Sequence, residues 1–413
     1  MIVMKPECIK DILTRRTDFQ KQSAINPLIR PLGCGLPSLE GEKWANHRRI
    51  ITPAFNFGKL KNMLPAVYQS CSNMINKWEE LVSAEGWCEL DVWPYLVNLT
   101  SDVISQVAFG SSYEEGKRIF ELQDELAKLI TQACQKVYVP GWRFLPTKLN
   151  KKMRAIDKEI QDSLKGMIDK RKKAMEAGEV NSDLLSALLE SNSREIQENG
   201  EKKNVGLSIA DVIDECKIFY FAGQETTSVL LVWTMVLLAK HTNWQSRARD
   251  EVLKVFGNEQ PNFNGLNQLK VVSIFSFLFY ELYPPLPMFV RSVEKETKLG
   301  NLILPAGLRL SIPIILVHHS SEIWGDDALD FKPERFAEGV SKATKNQVSF
   351  CPFGWGPRIC IGQNLALLEA KMTLAMIFQR FTFELSPCYT HAPRMVFTIH
   401  PEFGVHLILH KLY

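Results

Sequence analysis

Apolar residues recur every three or four positions along most of this chain, so the pattern is predominantly helical. Phe57–Leu81, Asp91–Val107 and Tyr113–Val137 keep that spacing over long stretches. Lys151–Ala177 is densely charged but sets Met153, Ile156, Ile160, Leu164 and Ile168 at helical intervals. That combination predicts a surface helix with one buried stripe and a solvated charged face. Pro6–Thr14, Lys43–Arg49 and Ala248–Phe256 read as further helices. Ser208–Ala239 reads as one long helix, N-capped by Ser208 with Asp211 three positions on. Its second half is apolar on most faces, which predicts a place in the interior. Ser191–Gly206 is polar and breaks the periodicity, so it predicts a surface loop. Strands are expected at Met1–Met4, Asn301–Pro305, Leu308–Pro313, Phe381–Leu385, Met395–His400 and His406–Leu409. The predicted fold class is mainly α with small peripheral β-sheets.

Composition narrows the function classes. An apolar content of 46% with 23% charged residues is ordinary for a soluble globular protein. A net charge of +3, with no basic run interleaved with aromatics, argues against nucleic acid as a partner. The nine cysteines are scattered, with no CxxC or Cys/His ladder, so neither a disulfide framework nor a zinc site is expected. A reducing, cytosol-facing compartment fits that usage. Met1–Met4 is apolar but stopped by Lys5 and Pro6, and Val229–Ala239 is shorter than the ~20 residues a membrane helix needs. No transmembrane anchor is expected in this chain.

Four segments carry chemistry. In Phe353-Gly354-Trp355-Gly356-Pro357-Arg358-Ile359-Cys360-Ile361-Gly362, a lone cysteine sits among turn-forming residues. Glycine and proline let the backbone bend tightly beside a large planar group. Main-chain N–H groups there can stabilise a thiolate able to coordinate iron. Taken alone, a cysteine in such a turn also reads as a small buried apolar residue, and that is the reading given to nearby Cys351. The second segment is Ala222-Gly223-Gln224-Glu225-Thr226-Thr227, inside the long helix. An acid and a hydroxyl beside a glycine can form a wet groove that hands on protons. It also reads as a mid-helix glycine packed tightly on another element. The third is Trp44-Ala45-Asn46-His47-Arg48, whose Trp44 and Arg48 share a helical face and suit a carboxylate. His47 reads as surface or groove-lining. The fourth is Phe331-Lys332-Pro333-Glu334-Arg335-Phe336.

Together these segments resemble the cytochrome P-450 family, and the resemblance extends over essentially all 413 residues. Asn98–Ser112, Pro140–Lys148, Phe219–Lys240 and Phe350–Lys371 resemble the plant clade that includes secologanin synthase. The resemblance implies a single domain over residues 1–413 with the haem-thiolate fold, without the usual N-terminal anchor, hinge and first helix. It implies haem as cofactor, with Cys360 as the axial iron ligand and Phe353 packed beside the sulfur. Trp44, Arg48, Arg291 and Arg358 would hold the propionates, and Thr226 and Glu225 would relay protons. For Arg291 the plain alternative is a surface arginine. The implied activity is a monooxygenase that inserts one oxygen atom from O2 into a lipophilic, terpenoid-like substrate. Electrons would come from NADPH through a reductase docking near Lys43, Arg48, Arg49 and Lys371, at the cytosolic face of the endoplasmic reticulum membrane. Pro285–Val290 and Ile218–Ala222 would line the substrate cavity.

One motif departs from the family. An E-x-x-R pair is expected just before Leu282-Tyr283-Pro284-Pro285, to meet the arginine of the P-E-R-F segment. Here Leu278 stands at the glutamate position and Glu281 at the arginine position. Arg335 then lacks its usual partner, and a buried arginine without one costs roughly 3–5 kcal/mol. A direct Glu281–Arg335 contact is the expected substitute. The departure keeps a second reading in view, a non-catalytic remnant with weak or no haem binding. A reductase-independent haem-thiolate isomerase or dehydratase is disfavoured by Thr226.

Overall fold

The computed structural model describes residues 1–21, 27–110, 113–134, 141–179, 183–199, 205–344 and 346–412. Its helices are α1 (Pro6–Thr14), α2 (Gly41–Ile51), α3 (Phe57–Leu81), α4 (Trp93–Phe109), α5 (Tyr113–Cys134), α6 (Lys148–Glu176), α7 (Leu184–Asn199) and α8 (Ile209–Lys240). They continue as α9 (Thr242–Phe256), α10 (Phe263–Leu266), α11 (Lys270–Leu282), α12 (Ile314–His318), α13 (Ser321–Trp324), α14 (Val340–Ala343) and α15 (Gln363–Arg380). The strands are β1 (Phe19–Gln20), β2 (Trp87–Asp91), β3 (Phe289–Val293), β4 (Thr297–Leu299), β5 (Leu302–Leu304), β6 (Arg309–Ile312), β7 (Phe381–Leu385), β8 (Pro393–Met395), β9 (Ile399–Pro401) and β10 (His406–Lys411).

The chain divides into two compact units. The first comprises Met1–Gln20, Val67–Leu99 and Glu225–Tyr413. Among the described residues it holds every sheet: β1-β3-β6, β2-β10-β7 and the hairpins β4-β5 and β8-β9. All the named strand pairs are antiparallel. Ile9, Ile12 and Leu13 on α1 bury against Leu310 and Ile312 of β6, Val317 and Cys351. Each such side chain contributes about 1.5–3 kcal/mol relative to its exposed state.

The second unit comprises Lys21–Ala66 and Thr100–Gln224. The predicted stripe of α6 is buried in full, since Met153, Ile156, Ile160, Leu164 and Ile168 are all 5% exposed or less. Asp183 caps α7 by accepting from the Ser186 N–H and forms an ion pair with Arg171. Arg171 also donates to the Phe109 carbonyl, 2.8 Å away. That network ties α4, α6 and α7 together.

Most predicted elements stand, some to the residue, as α1, α3 and β7 do. Ser208 and Asp211 form the expected reciprocal cap of α8. Three expectations are corrected. The predicted loop at Ser191–Gly206 is helical to Asn199, because Arg194, Gln197 and Glu198 form helix well and merely face outward. Residues 200–204 of that stretch, and 135–137 of the predicted fifth helix, lie outside the described residues. Met395–His400 is not one strand but parts of two, β8 and β9, paired across a turn closed by Val396 N–H on the Thr398 carbonyl. Met1–Met4 makes only an isolated bridge, Ile2 to Ser311, instead of a strand. By length and composition alone α8 is apolar enough to cross a membrane, but 67% of that window is buried within the protein.

Candidate functional site

The cysteine loop is shaped by two glycines with left-handed backbone, Gly354 at φ 77° and Gly356 at φ 69°. A Cβ at Gly356 would lie 3.1 Å from the Leu13 carbonyl oxygen, so only glycine fits there. The loop closes through Gly354 N–H on the Cys351 carbonyl, 2.9 Å, and Cys360 N–H on the Phe353 carbonyl, 2.8 Å. The two neighbouring cysteines then differ sharply. Cys351 is buried, and burial pushes its thiol up to about 12. Cys360 is exposed at the end of the loop. Phe353 rests edge-on against Tyr280 of α11, with ring centroids 4.7 Å apart. Tyr280 is held well above its usual range, first by burial and then by the charges of Cys360 and Glu369.

Arg358 lies two residues before the sulfur, on a 3-10 turn at Gly356–Arg358. Arg291 is not at the surface: it is 7% exposed on β3, where it pairs with Leu310 of β6. One accessible soft sulfur on a glycine-turned loop, with guanidiniums supplied by the same unit, is a donor set suited to a thiophilic metal in a carboxylate-bearing ring. These residues therefore fit haem.

Behind the loop lies the hub in which E-x-x-R is replaced. Leu278 is fully buried and apolar, and Glu281 is fully buried and ion-paired with Arg335, as expected from the sequence. Arg335 also meets Asp327 Oδ1 at 3.1 Å and donates to the Asp327 carbonyl at 2.7 Å. Burial pushes the Glu281 carboxyl up to about 7, and Arg335 only partly offsets this. Its Oε2 is buried with no hydrogen-bond partner among the described residues, which explains why burial prevails. His318 of α12 links this hub to the loop. Its Nδ1 is 2.9 Å from the Tyr280 carbonyl, and its Nε2 lies 3.4 Å from the Cys351 N–H. Burial lowers His318 to about 4, so the ring is neutral. These partners require Nδ1–H to donate and Nε2 to accept.

On α8, Tyr220 and Thr227 are buried, whereas Phe221 to Thr226 are accessible to varying degrees. Gly223 answers to the packing reading of its motif: a Cβ there would lie 2.7 Å from Ile104 of α4. Thr100 donates to the Gln224 carbonyl at 3.1 Å. Glu225 is held by two side chains that the sequence reading did not single out. Thr398 Oγ1 donates to Glu225 Oε1 at 2.7 Å, and His400 Nε2 lies 2.6 Å from the same oxygen. Thr226 is half-buried one residue on. The alternation Thr398-Ile399-His400 was the available signal, since residues two apart on a strand share a face.

In the second unit, Trp44 is buried on α2 and Arg48 half-buried. His47, read as surface or groove-lining, is instead 2% exposed. Its Nδ1 lies 2.6 Å from Glu215 Oε1, and Glu215 also accepts the Leu36 N–H at 2.9 Å. A fully buried carboxylate on α8 requires such donors, which draws the histidine inward. Two of the suggested docking cations are engaged in ion pairs, Lys43 with Asp211 and Arg49 with Glu195, each at 2.7 Å. Lys371, in the first unit, is partly buried and reaches the Leu266 carbonyl at 3.4 Å. A cavity of about 620 Å³ in the first unit is lined by Leu237, Tyr283, Ile315, Phe331, Met395 and Ile399 among others. Its lining includes neither Pro285–Val290 nor Ile218–Ala222.

Comparison with known proteins agrees with this chemistry. The Cytochrome P450 family profile matches residues 1–403. Similar proteins include cytochrome P450 CYP72A219 of Panax ginseng, 58% identical over 412 residues, which is 99% of this chain and 79% of the relative. Cytochrome P450 72A397 of Kalopanax septemlobus is 58% identical over 411 residues, with the same coverage of each chain. Cytochrome P450 72A15 of Arabidopsis thaliana is 57% identical over 412 residues, again with that coverage. A mainly α protein with a cysteine loop suited to haem is a haem-thiolate monooxygenase, supplied with electrons by a reductase. The chain belongs to the cytochrome P450 family, within the plant CYP72 clade.

Proposed function

We propose that this protein inserts one oxygen atom from O2 into a small terpenoid-like substrate, using NADPH-derived electrons passed on by an NADPH-cytochrome reductase. The cytosolic face of the endoplasmic reticulum membrane is the proposed setting. The observation that carries the reading is the exposed Cys360 on its glycine-turned loop, with half-buried Arg358 two residues before it and buried Arg291 in the same unit. When bound, haem supplies the oxygen chemistry, and a thiolate ligand favours O–O cleavage.

The chain's own residues do the rest. Cys360 is the proposed iron ligand, with Phe353 assigned to pack beside the sulfur. Arg291, Arg358, Trp44 and Arg48 are assigned to the propionates, where guanidinium and indole N–H groups donate to carboxylate oxygens. Glu225 holds a proton at its carboxyl group and passes it by way of the Thr226 hydroxyl. Pro285–Val290 and Ile218–Ala222 are the proposed walls for the substrate. The Glu281–Arg335 contact supports this reading over a non-catalytic remnant, because it replaces the partner that the altered motif removes.

Turnover of a terpenoid panel under 18O2, with a plant NADPH reductase, checks the assignment. The expected product carries a single 18O atom and its formation requires NADPH. Product formed without NADPH would instead indicate isomerase or dehydratase chemistry.

A further inference from the structure

Glu225 does not stand alone on α8. Both donors to its Oε1 come from the hairpin β8-β9, one from Thr398 in the turn and one from His400 on β9. The hairpin is fixed beside α8 by a third bond, from Trp233 Nε1–H to the Ile399 carbonyl at 2.7 Å. Because side chains alternate along an extended segment, this bond leaves Thr398 and His400 on the same side, toward Glu225. The Trp93 ring lies against the His400 imidazole, with centroids 5.2 Å apart. The histidine side chain is 24% exposed and the carboxylate 12%. The other charged pair of this hairpin, Arg394 with Glu402, is closed on itself at 2.9 Å.

We propose that His400 is the positioning and proton-supplying partner of Glu225, linking that carboxylate to solvent through the C-terminal hairpin. The inference rests on Glu225 handling protons in the reaction. A proton taken from solvent at Nδ1 leaves a ring protonated on both nitrogens and carrying one positive charge. The Nε2 proton then crosses 2.6 Å to Glu225 Oε1, and the ring returns to neutrality as the other tautomer. No electrons move and no other co-reactant is needed. Thr398 donates to Oε1 as well but has no second site at which to take up a proton, so it only orients the carboxylate.

Two measurements test the proposal. Histidine-selective 15N NMR of the purified protein is expected to show a hydrogen-bonded Nε2–H for His400 that is lost in Glu225→Leu. Absence of that signal in the wild type would overturn the contact. In the reductase-coupled enzyme, His400→Gln keeps an N–H donor for Oε1 but cannot relay a proton. It is expected to divert several-fold more NADPH-derived electrons to hydrogen peroxide, to the same extent as His400→Ala, with substrate affinity unchanged. Thr398→Val loses one donor to Oε1 but no relay proton, so it is expected to raise peroxide less than His400→Gln does. Wild-type coupling in His400→Gln would reduce His400 to a structural tether and overturn the relay alone. Wild-type coupling in Glu225→Gln would overturn the reading of Glu225, and the relay with it.

Discussion

Replacing Glu281 with leucine is expected to lower stability by about 1.5–3 kcal/mol at pH 5, because Arg335 then loses the carboxyl oxygen to which it donates and remains a buried cation without that acceptor. Asp327 remains beside it and offsets part of a larger penalty. The converse change, Arg335→Met, is expected to cost less at that pH. An arginine cannot shed its charge, whereas the Glu281 carboxyl can stay protonated. The pH dependences follow with opposite sign. The Glu281 carboxyl is raised from 4.5 to about 7 in the folded protein. The folded state therefore keeps that proton longer than the unfolded chain does. Its contribution is complete below about pH 4.5 and is lost as pH rises through about 7, an amount on the order of 3 kcal/mol. The cost of Glu281→Leu should accordingly shrink between pH 5 and pH 8. The cost of Arg335→Met should grow, since it leaves a carboxylate to ionise with no guanidinium beside it. Urea unfolding of the three proteins at both pH values checks this, and parallel profiles would contradict it.

The second large effect is expected at Gly223. Its hydrogen faces Ile104, with both Cγ1 and Cδ1 only 2.7 Å from where a Cβ would stand. Isoleucine is stiff at χ1 and cannot swing clear. Gly223→Leu should therefore cost about 1–3 kcal/mol by overpacking, although leucine favours the helix more than glycine does. Ile104→Ala opens the space and should rescue the leucine, so that the double variant is more stable than the sum of the single losses predicts. Thermal unfolding of the four proteins reads this directly. Strict additivity would mean that α4 and α8 do not meet at this point. The result would also set the glycine apart within its motif: it serves a helix crossing, whereas the proposed proton relay rests on Glu225 and Thr226.

Much of this was legible in the sequence, for physical reasons that differ from place to place. The stripe of α6 and the cap of α8 follow from local periodicity and local hydrogen bonding, so neighbouring residues suffice to read them. The cysteine loop was legible because the turn needs particular residues, two glycines with left-handed backbone just before a proline-arginine step. The Glu281–Arg335 contact was legible because an unpartnered buried arginine is costly enough to demand an acid nearby. Tertiary pairings were not. His47 is drawn inward by Glu215, which lies 168 positions away in the chain. His400 meets Glu225 only because a two-strand hairpin forms where the apolar pattern read as a single strand. The end of α7 was missed because solvated helical residues carry the same polarity as a loop. Short strands such as β2 gain their order from partners like β10, not from their own alternation.

The most direct measurement is the carbon monoxide difference spectrum of the reduced, haem-reconstituted protein, recorded beside Cys360→Ser. A thiolate-ligated haem-iron site predicts a Soret band at the thiolate position in the wild type and none there in Cys360→Ser. A wild-type spectrum without that band, or one that survives loss of the sulfur, would contradict the assignment of Cys360 and the chemistry built on it.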